Sequence, residues 1–222
     1  DTAGDSATSS MYLLTNNCEI WQRKYTQRTM VEKKIRKNVR GWWDESTPCE
    51  KEQGRVWYKE AQDFARELSV KYNVSREVAA GVISALSPNN KWERNKYDTI
   101  QVFEAIKAGL GPDDIKVCTY SSNKRKAFSI AMGDAKILRQ SPKTYAFARN
   151  VGELDDNFVT IDKWHLRACQ TMSKKSKRCR ESVTPKQYRV IQEQTIKVAR
   201  QIGVPAYVLQ ATVWVTIRNR WS

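Results

Sequence analysis

Residues 51–86, KEQGRVWYKEAQDFARELSVKYNVSREVAAGVISAL, decide the fold class. Val56, Trp57, Ala61, Phe64, Ala65 and Leu68 recur at spacings of three and four, which predicts a helix over 51–71 with one apolar stripe. Ser75 stands where an N-cap belongs. A second helix over 76–86 follows, with Val78, Ala79, Val82 and Ile83 turned inward. Ser87-Pro88-Asn89-Asn90 ends it, because proline lacks a backbone donor and restricts the residue before it.

The same reading extends outward. Downstream, a helix is predicted over 92–108, stopping at Gly109-Leu110-Gly111-Pro112. Another runs to 132, capped by Ser121 or Ser122. A short helix is expected near 135–138, and one over 142–150 opens on Pro142, a residue suited to the first helical position. Thr160 is expected to cap a helix starting at Ile161, and two helices over 184–202 and 205–218 finish the chain. Upstream, 11–47 reads as one or two helices ending before Gly41, with Trp42 and Trp43 in the core. No βαβ pattern or glycine-rich phosphate loop occurs, which argues against a nucleotide-binding α/β enzyme. The expectation is an all-α protein with a flexible tail over 1–10, an arm over 11–50 packing on the core, and a helical domain over 51–222.

Composition narrows the function. The 222 residues are 40% hydrophobic and 10% aromatic, enough for a substantial core. Thirty-nine Lys and Arg against twenty-four Asp and Glu leave a formal charge of +15, a surface that attracts polyanions and releases their counterions on contact. No apolar run is long enough to span a membrane. The five cysteines, Cys18, Cys49, Cys118, Cys169 and Cys179, include no Cys-x-x-Cys pair, so neither zinc nor an iron–sulfur cluster is expected. They fit a reducing compartment, and the polar start DTAGDSATSS does not read as a signal peptide. Lys124, Arg125 and Lys126 crowd the first turn of a helix, where cations oppose the dipole and solubility alone does not call for them. Lys174, Lys175, Lys177 and Arg178 form a basic loop suited to phosphates.

The candidate chemistry lies in 141–169. Lys143 falls in the first turn after Pro142, where the positive helix end disfavours an ammonium and favours a nucleophilic amine. Asp162 follows the apolar run Phe158-Val159-Thr160-Ile161. Two roles are open to it: capping backbone N–H groups, or facing a cleft as a carboxylate. Two helix starts converging on one hollow would bring an amine and a carboxylate to a single deoxyribose. The carboxylate stabilises oxocarbenium-like charge, and the amine attacks C1′.

These residues carry a resemblance. Lys143 and the segment Ile161-Asp162-Lys163-Trp164-His165 resemble the catalytic lysine and the aspartate motif of the helix-hairpin-helix DNA glycosylase superfamily. Val82-Ile83-Ser84-Ala85-Leu86-Ser87-Pro88-Asn89-Asn90-Lys91-Trp92 is similar to its gap-filling segment, and Asn123-Lys124-Arg125-Lys126-Ala127 to the helix leading into its hairpin. The resemblance covers roughly residues 75–170. Arg139 and Ser141 stand where the family's hairpin has glycines, and His165 lies one place beyond its histidine position, which Trp164 occupies.

The resemblance implies a two-lobed helical fold with a helix-hairpin-helix-like element. It also implies a DNA glycosylase that flips out a damaged or modified base and cleaves its N-glycosidic bond, with AP-lyase activity through Lys143. A bacteriophage-type member handling modified bases fits as well. Asn89, Asn90, Lys91, Trp92 and Arg94 are expected at the gap left by the base, and Arg139, Ser141, Thr144, Tyr145, Trp164 and His165 around the hairpin and pocket. No cofactor is expected; the one ion the resemblance brings is a monovalent cation at the hairpin. The partner is double-stranded DNA, the protein is a monomer with no membrane attachment, and the compartment is cytoplasm or nucleoid, or host cytoplasm for a viral protein. Two alternatives stand beside this reading: a non-catalytic nucleic-acid-binding protein, and an enzyme that modifies hypermodified bases in DNA.

Overall fold

The computed structural model describes residues 26–173 and 179–221. The tail over 1–10, the first part of the arm, Cys18 and the phosphate candidates Lys174, Lys175, Lys177 and Arg178 lie outside the described residues. Among those described, every regular element is helical. Helix α1 covers 26–44, followed by α2 (Pro48–Val56), α3 (Lys59–Tyr72), α4 (Arg76–Leu86), α5 (Trp92–Lys107), α6 (Ser121–Ala131), α7 (Pro142–Val151), α8 (Lys163–Gln170), α9 (Pro185–Ile202) and α10 (Ala206–Trp221). Short 3-10 turns lie at Pro112–Asp114 and Ala135–Gln140. No described helix is long and apolar enough to cross a membrane.

Helix starts follow local chemistry. Thr47 and Glu50 form a reciprocal capping box before α2, as Thr184 and Gln187 do before α9. Ser75 caps α4 by accepting from the Val78 N–H.

Several boundaries differ from expectation. The single helix expected over 51–71 is two, broken at Trp57-Tyr58, where the Tyr58 ring is fully buried among Trp57, Phe147 and Tyr207. Helix α1 runs through Gly41, which packs against the Met172 side chain; a Cβ there would sit 3.1 Å from Met172 Cε. Tyr120, with no side-chain cap, precedes α6 in place of a capping serine. The cap of α8 is Asp162 and not Thr160.

Two apolar clusters form the interior. One gathers α3, α4, α5, α6 and α7 around Leu68, Ile83, Leu86, Val102 and Ile130. The other gathers α1, α8, α9 and α10 around Val39, Trp42, Leu166, Leu209 and Ile217. Helix α1 is fastened to this second cluster by hydrogen bonds from Asn38 Nδ2 to Cys169 O (2.9 Å) and from Trp42 Nε1 to Thr171 O (3.1 Å). Trp42 is core, as expected, while Trp43 is half-buried. Helices α2 and α10 cross at Gly54, where a Cβ would come within 2.6 Å of Thr212 backbone atoms.

Candidate functional site

The run 158–162 is irregular and largely buried, so its backbone polar groups need partners other than a sheet. Side chains supply them. Asn150 Nδ2 donates to Phe158 O (3.0 Å), the Val159 N–H donates to Gln192 Oε1 (3.2 Å), and Tyr188 Oη donates to Val159 O (2.8 Å) while accepting from the Ile161 N–H (3.1 Å). The Thr160 hydroxyl donates to Asn150 Oδ1 (3.2 Å) and lies 3.1 Å from Tyr58 Oη, so it is unavailable as a helix cap. Burial pushes the Tyr58 and Tyr188 phenols up, which keeps both hydroxyls neutral in this network.

This scaffold sets Asp162 at the head of α8. Asp162 Oδ1 accepts the His165 N–H at 2.8 Å, and Oδ2 accepts the Trp214 indole N–H at 2.9 Å. The Trp214 ring is flanked by Trp57 at 5.5 Å and by the Arg218 guanidinium at 4.4 Å. Trp57, Trp214 and Arg218 all line a cleft of about 780 Å³. Asp162 therefore sits behind its wall, joined to it through one hydrogen bond.

The cleft lies among α2, α3, α5, α7 and α10. Trp57 and Glu60, Ser87, Asn90 and Trp92, Phe147, and Trp214 and Arg218 contribute to it from different parts of the chain. Asn90 donates from Nδ2 to Asp98 Oδ2 (3.0 Å), but its Oδ1 is buried and accepts no hydrogen bond. The Trp92 indole N–H is likewise buried without a partner of hydrogen-bond geometry. Glu60 is its neighbour, and the Lys96 ammonium and then this indole hold the Glu60 carboxyl below the usual carboxylate range. A cleft of this size with aromatic walls and one unspent acceptor, Asn90 Oδ1, is suited to a flat, polar-edged ring.

The other expected site residues are distributed as follows. Lys143 is exposed in the first turn of α7, one turn before the cleft residue Phe147 and on the same stripe of the helix. Lys126, Ser141 and Thr144 line a second, smaller cleft of about 230 Å³ together with Tyr120 and Asn123. Asn89 Nδ2 donates to Tyr120 Oη (3.0 Å) at the rim of that hollow. Arg94 pairs with Asp98 (2.8 Å), Lys124 Nζ donates to Ile115 O (2.8 Å), and Arg125 pairs with Asp113 (3.4 Å). Lys91 and Arg139 are exposed. Tyr145 packs edge-on to Phe158 at 5.3 Å, and Trp164 lies between Lys163 and Arg167.

His165 is fully buried. Its Nε2 lies 3.1 Å from Thr195 Oγ1, whose proton goes to Ile191 O (2.9 Å), so Nε2 carries the ring proton and Nδ1 is left as an unpartnered acceptor. Burial lowers the His165 pKa to about 4 against the opposing charge of Asp162, leaving a neutral packed ring.

Of the residues the sequence singles out, Asn90, Trp92 and the stripe position Trp57 line the cleft, whereas Lys143 and Asp162 are not among its lining residues, and Glu60, Phe147, Trp214 and Arg218 are lining residues the sequence does not single out. The available signal was local: Arg218 follows Trp214 by four and Phe147 follows Lys143 by four, spacings that put each pair on one helix face. Among the described residues no group of three or more His, Cys, Asp or Glu is arranged to hold a metal ion. Among the described residues, Cys49, Cys118 and Cys169 are free thiols.

A family model described as "Family of unknown function (DUF7178)" matches residues 22–221. No curated protein and no solved structure matches the chain.

Proposed function

The chain belongs to this family of unknown function, and from its cleft we propose that it acts on DNA, taking an extruded base between the aromatic walls and cleaving the N-glycosidic bond. The observation that carries the reading is the cleft of about 780 Å³ walled by Trp57, Trp92, Phe147 and Trp214, with Asp162 directly behind Trp214. Its size falls within the ~300–1,000 Å³ typical of small-ligand sites, and aromatic faces offset the cost of unstacking a base. The formal charge of +15 supplies the attraction to phosphates. In this reading Asp162 provides the negative charge that stabilises the sugar cation, and the Lys143 amine attacks C1′ as the base departs with the bonding pair. Helices α6 and α7, with the 3-10 turn between them, are the hairpin-like element of a two-lobed glycosylase-type fold.

The test is incubation with duplexes carrying a panel of damaged and modified bases, with released bases identified by mass. Asp162→Asn is expected to abolish release while leaving DNA binding largely intact, and Lys143→Gln to remove the borohydride-trapped covalent complex. Trapping at wild-type level in Lys143→Gln rejects this lysine as nucleophile. Release of no base from any duplex rejects the glycosylase reading.

One observation favours a second reading, a DNA-binding protein without chemistry: both Asp162 oxygens already accept hydrogen bonds. That reading expects salt-sensitive binding and no abasic product.

A further inference from the structure

Asn90 belongs to the cleft through one end of its amide only. A carboxylate accepts and does not donate, so an asparagine facing one must turn its NH₂ towards it. Asp98 is such a carboxylate, fully buried on α5 and held from three sides. Its Oδ2 accepts Asn90 Nδ2 (3.0 Å) and the Cys118 backbone N–H (2.8 Å), and its Oδ1 accepts Arg94 Nε (2.8 Å). Rotating the Asn90 amide by half a turn would set its oxygen against Asp98 Oδ2, two acceptors at hydrogen-bond distance with no proton between them. The orientation is therefore locked. What remains is Asn90 Oδ1, a buried acceptor with no partner on a residue that lines the cleft.

We infer that Asn90 selects for a base presenting an N–H at this point of the cleft, and that Asp98 is the positioning residue that fixes this choice. The inference rests on the reading of the cleft as a base site. Its substrate class is a nucleobase with an N–H donor on its edge, such as the exocyclic amine of adenine or cytosine or the imide N–H of thymine. That donor meets Asn90 Oδ1. A base whose donor is blocked by methyl groups leaves the Asn90 oxygen buried and unpaired, a penalty that falls on selectivity and not on shape alone.

The experiment titrates the full chain with dAMP, dCMP and dTMP, and with N6,N6-dimethyl-dAMP, N4,N4-dimethyl-dCMP and N3-methyl-dTMP, following intrinsic tryptophan fluorescence. The wild type is expected to bind at least one parent nucleotide about tenfold or more tightly than its methylated counterpart. Asn90→Leu is expected to bring that ratio close to one. Asp98→Ala removes the acceptor that holds the amide and is expected to do the same, with circular dichroism confirming the fold; should Asp98→Ala unfold, Asn90→Leu still decides. General damage to the cleft would weaken both nucleotides of a pair together, so the ratio reports orientation specifically. Equal binding of parent and methylated nucleotides by the wild type overturns the inference and leaves the base site standing. Binding of no nucleotide overturns both. A ratio that survives in Asn90→Leu overturns the role assigned to Asn90.

Discussion

Asp162 and Trp214, fifty-two positions apart, are joined by a 2.9 Å hydrogen bond from the indole N–H to the carboxylate. The other Asp162 oxygen caps α8 through the His165 N–H. One side chain thus starts a helix, ties it to α10 and sets the tilt of an aromatic wall in the cleft. Whatever is bound against Trp214 is bound against a ring whose position the acid controls.

Replacing Asp162 tests that double duty. Asparagine has one side-chain oxygen for two donors, so Asp162→Asn is expected to lose one bond and about 1–2 kcal/mol of stability. Asp162→Ala forfeits both and is expected to cost roughly 2–4 kcal/mol. Urea unfolding measures each; an alanine variant as stable as the wild type would show that the cap carries no weight.

The chain has one histidine, which makes its titration readable. His165 has a folded pKa of about 4, against an ordinary value near 6.5, because burial penalises the imidazolium. The unfolded chain therefore binds the extra proton first. This stability contribution is full above about pH 6.5 and declines as pH falls towards 4, by about 2 kcal/mol on reaching pH 5. Thermal unfolding between pH 7 and 5 should show this slope, and His165→Gln should flatten it.

Gly54 lets α2 meet α10 backbone to backbone, since any Cβ would overlap Thr212 main-chain atoms. Gly54→Ala normally gains helix propensity. Here it is expected to lose about 1–3 kcal/mol, because the Thr212 hydroxyl can turn aside but its main-chain atoms cannot, so the two helices must separate. A rise in the urea midpoint would contradict this contact.

The triplet 124–126 is not uniform. Lys124 is spent on Ile115 O and Arg125 on Asp113, whereas Lys126 forms no ion pair with another described residue and lines the smaller cleft. Lys126→Gln is expected to reduce the slope of log K against log salt for duplex DNA by about 1, while Lys124→Gln leaves that slope nearly unchanged. Fluorescence anisotropy across a salt series distinguishes them, and equal slopes for both variants would place Lys126 off the DNA.

Much of the fold was legible because its signals are short-range. Ser75, Thr184 and Pro142 start helices by bonding or shaping the next turn, and the apolar spacing of α4 and α9 needs only its own residues. The misplaced boundaries have another origin. Thr160 is chemically a good cap, but Asn150 and Tyr58 hold its hydroxyl, and the duty passes to Asp162. Gly41 looks like a stop, yet it is there to admit Met172. The uninterrupted stripe over 51–71 hides a break at Tyr58, whose ring fills a space made by Phe147 and Tyr207.

By itself the amino-acid order determined that this protein is helical, that it is strongly cationic, and where most of its helices begin, since periodicity, charge and capping act over a few residues or sum over all of them. Only the tertiary structure decided that Trp57, Trp92, Phe147 and Trp214 share one cleft, that Asp162 stands behind it bonded to an indole, and that Asp98 leaves Asn90 a single free oxygen. Those relationships join atoms far apart along the chain. They arise when helices from distant parts of the chain pack and leave an open space among them, and no local pattern encodes where that space will open.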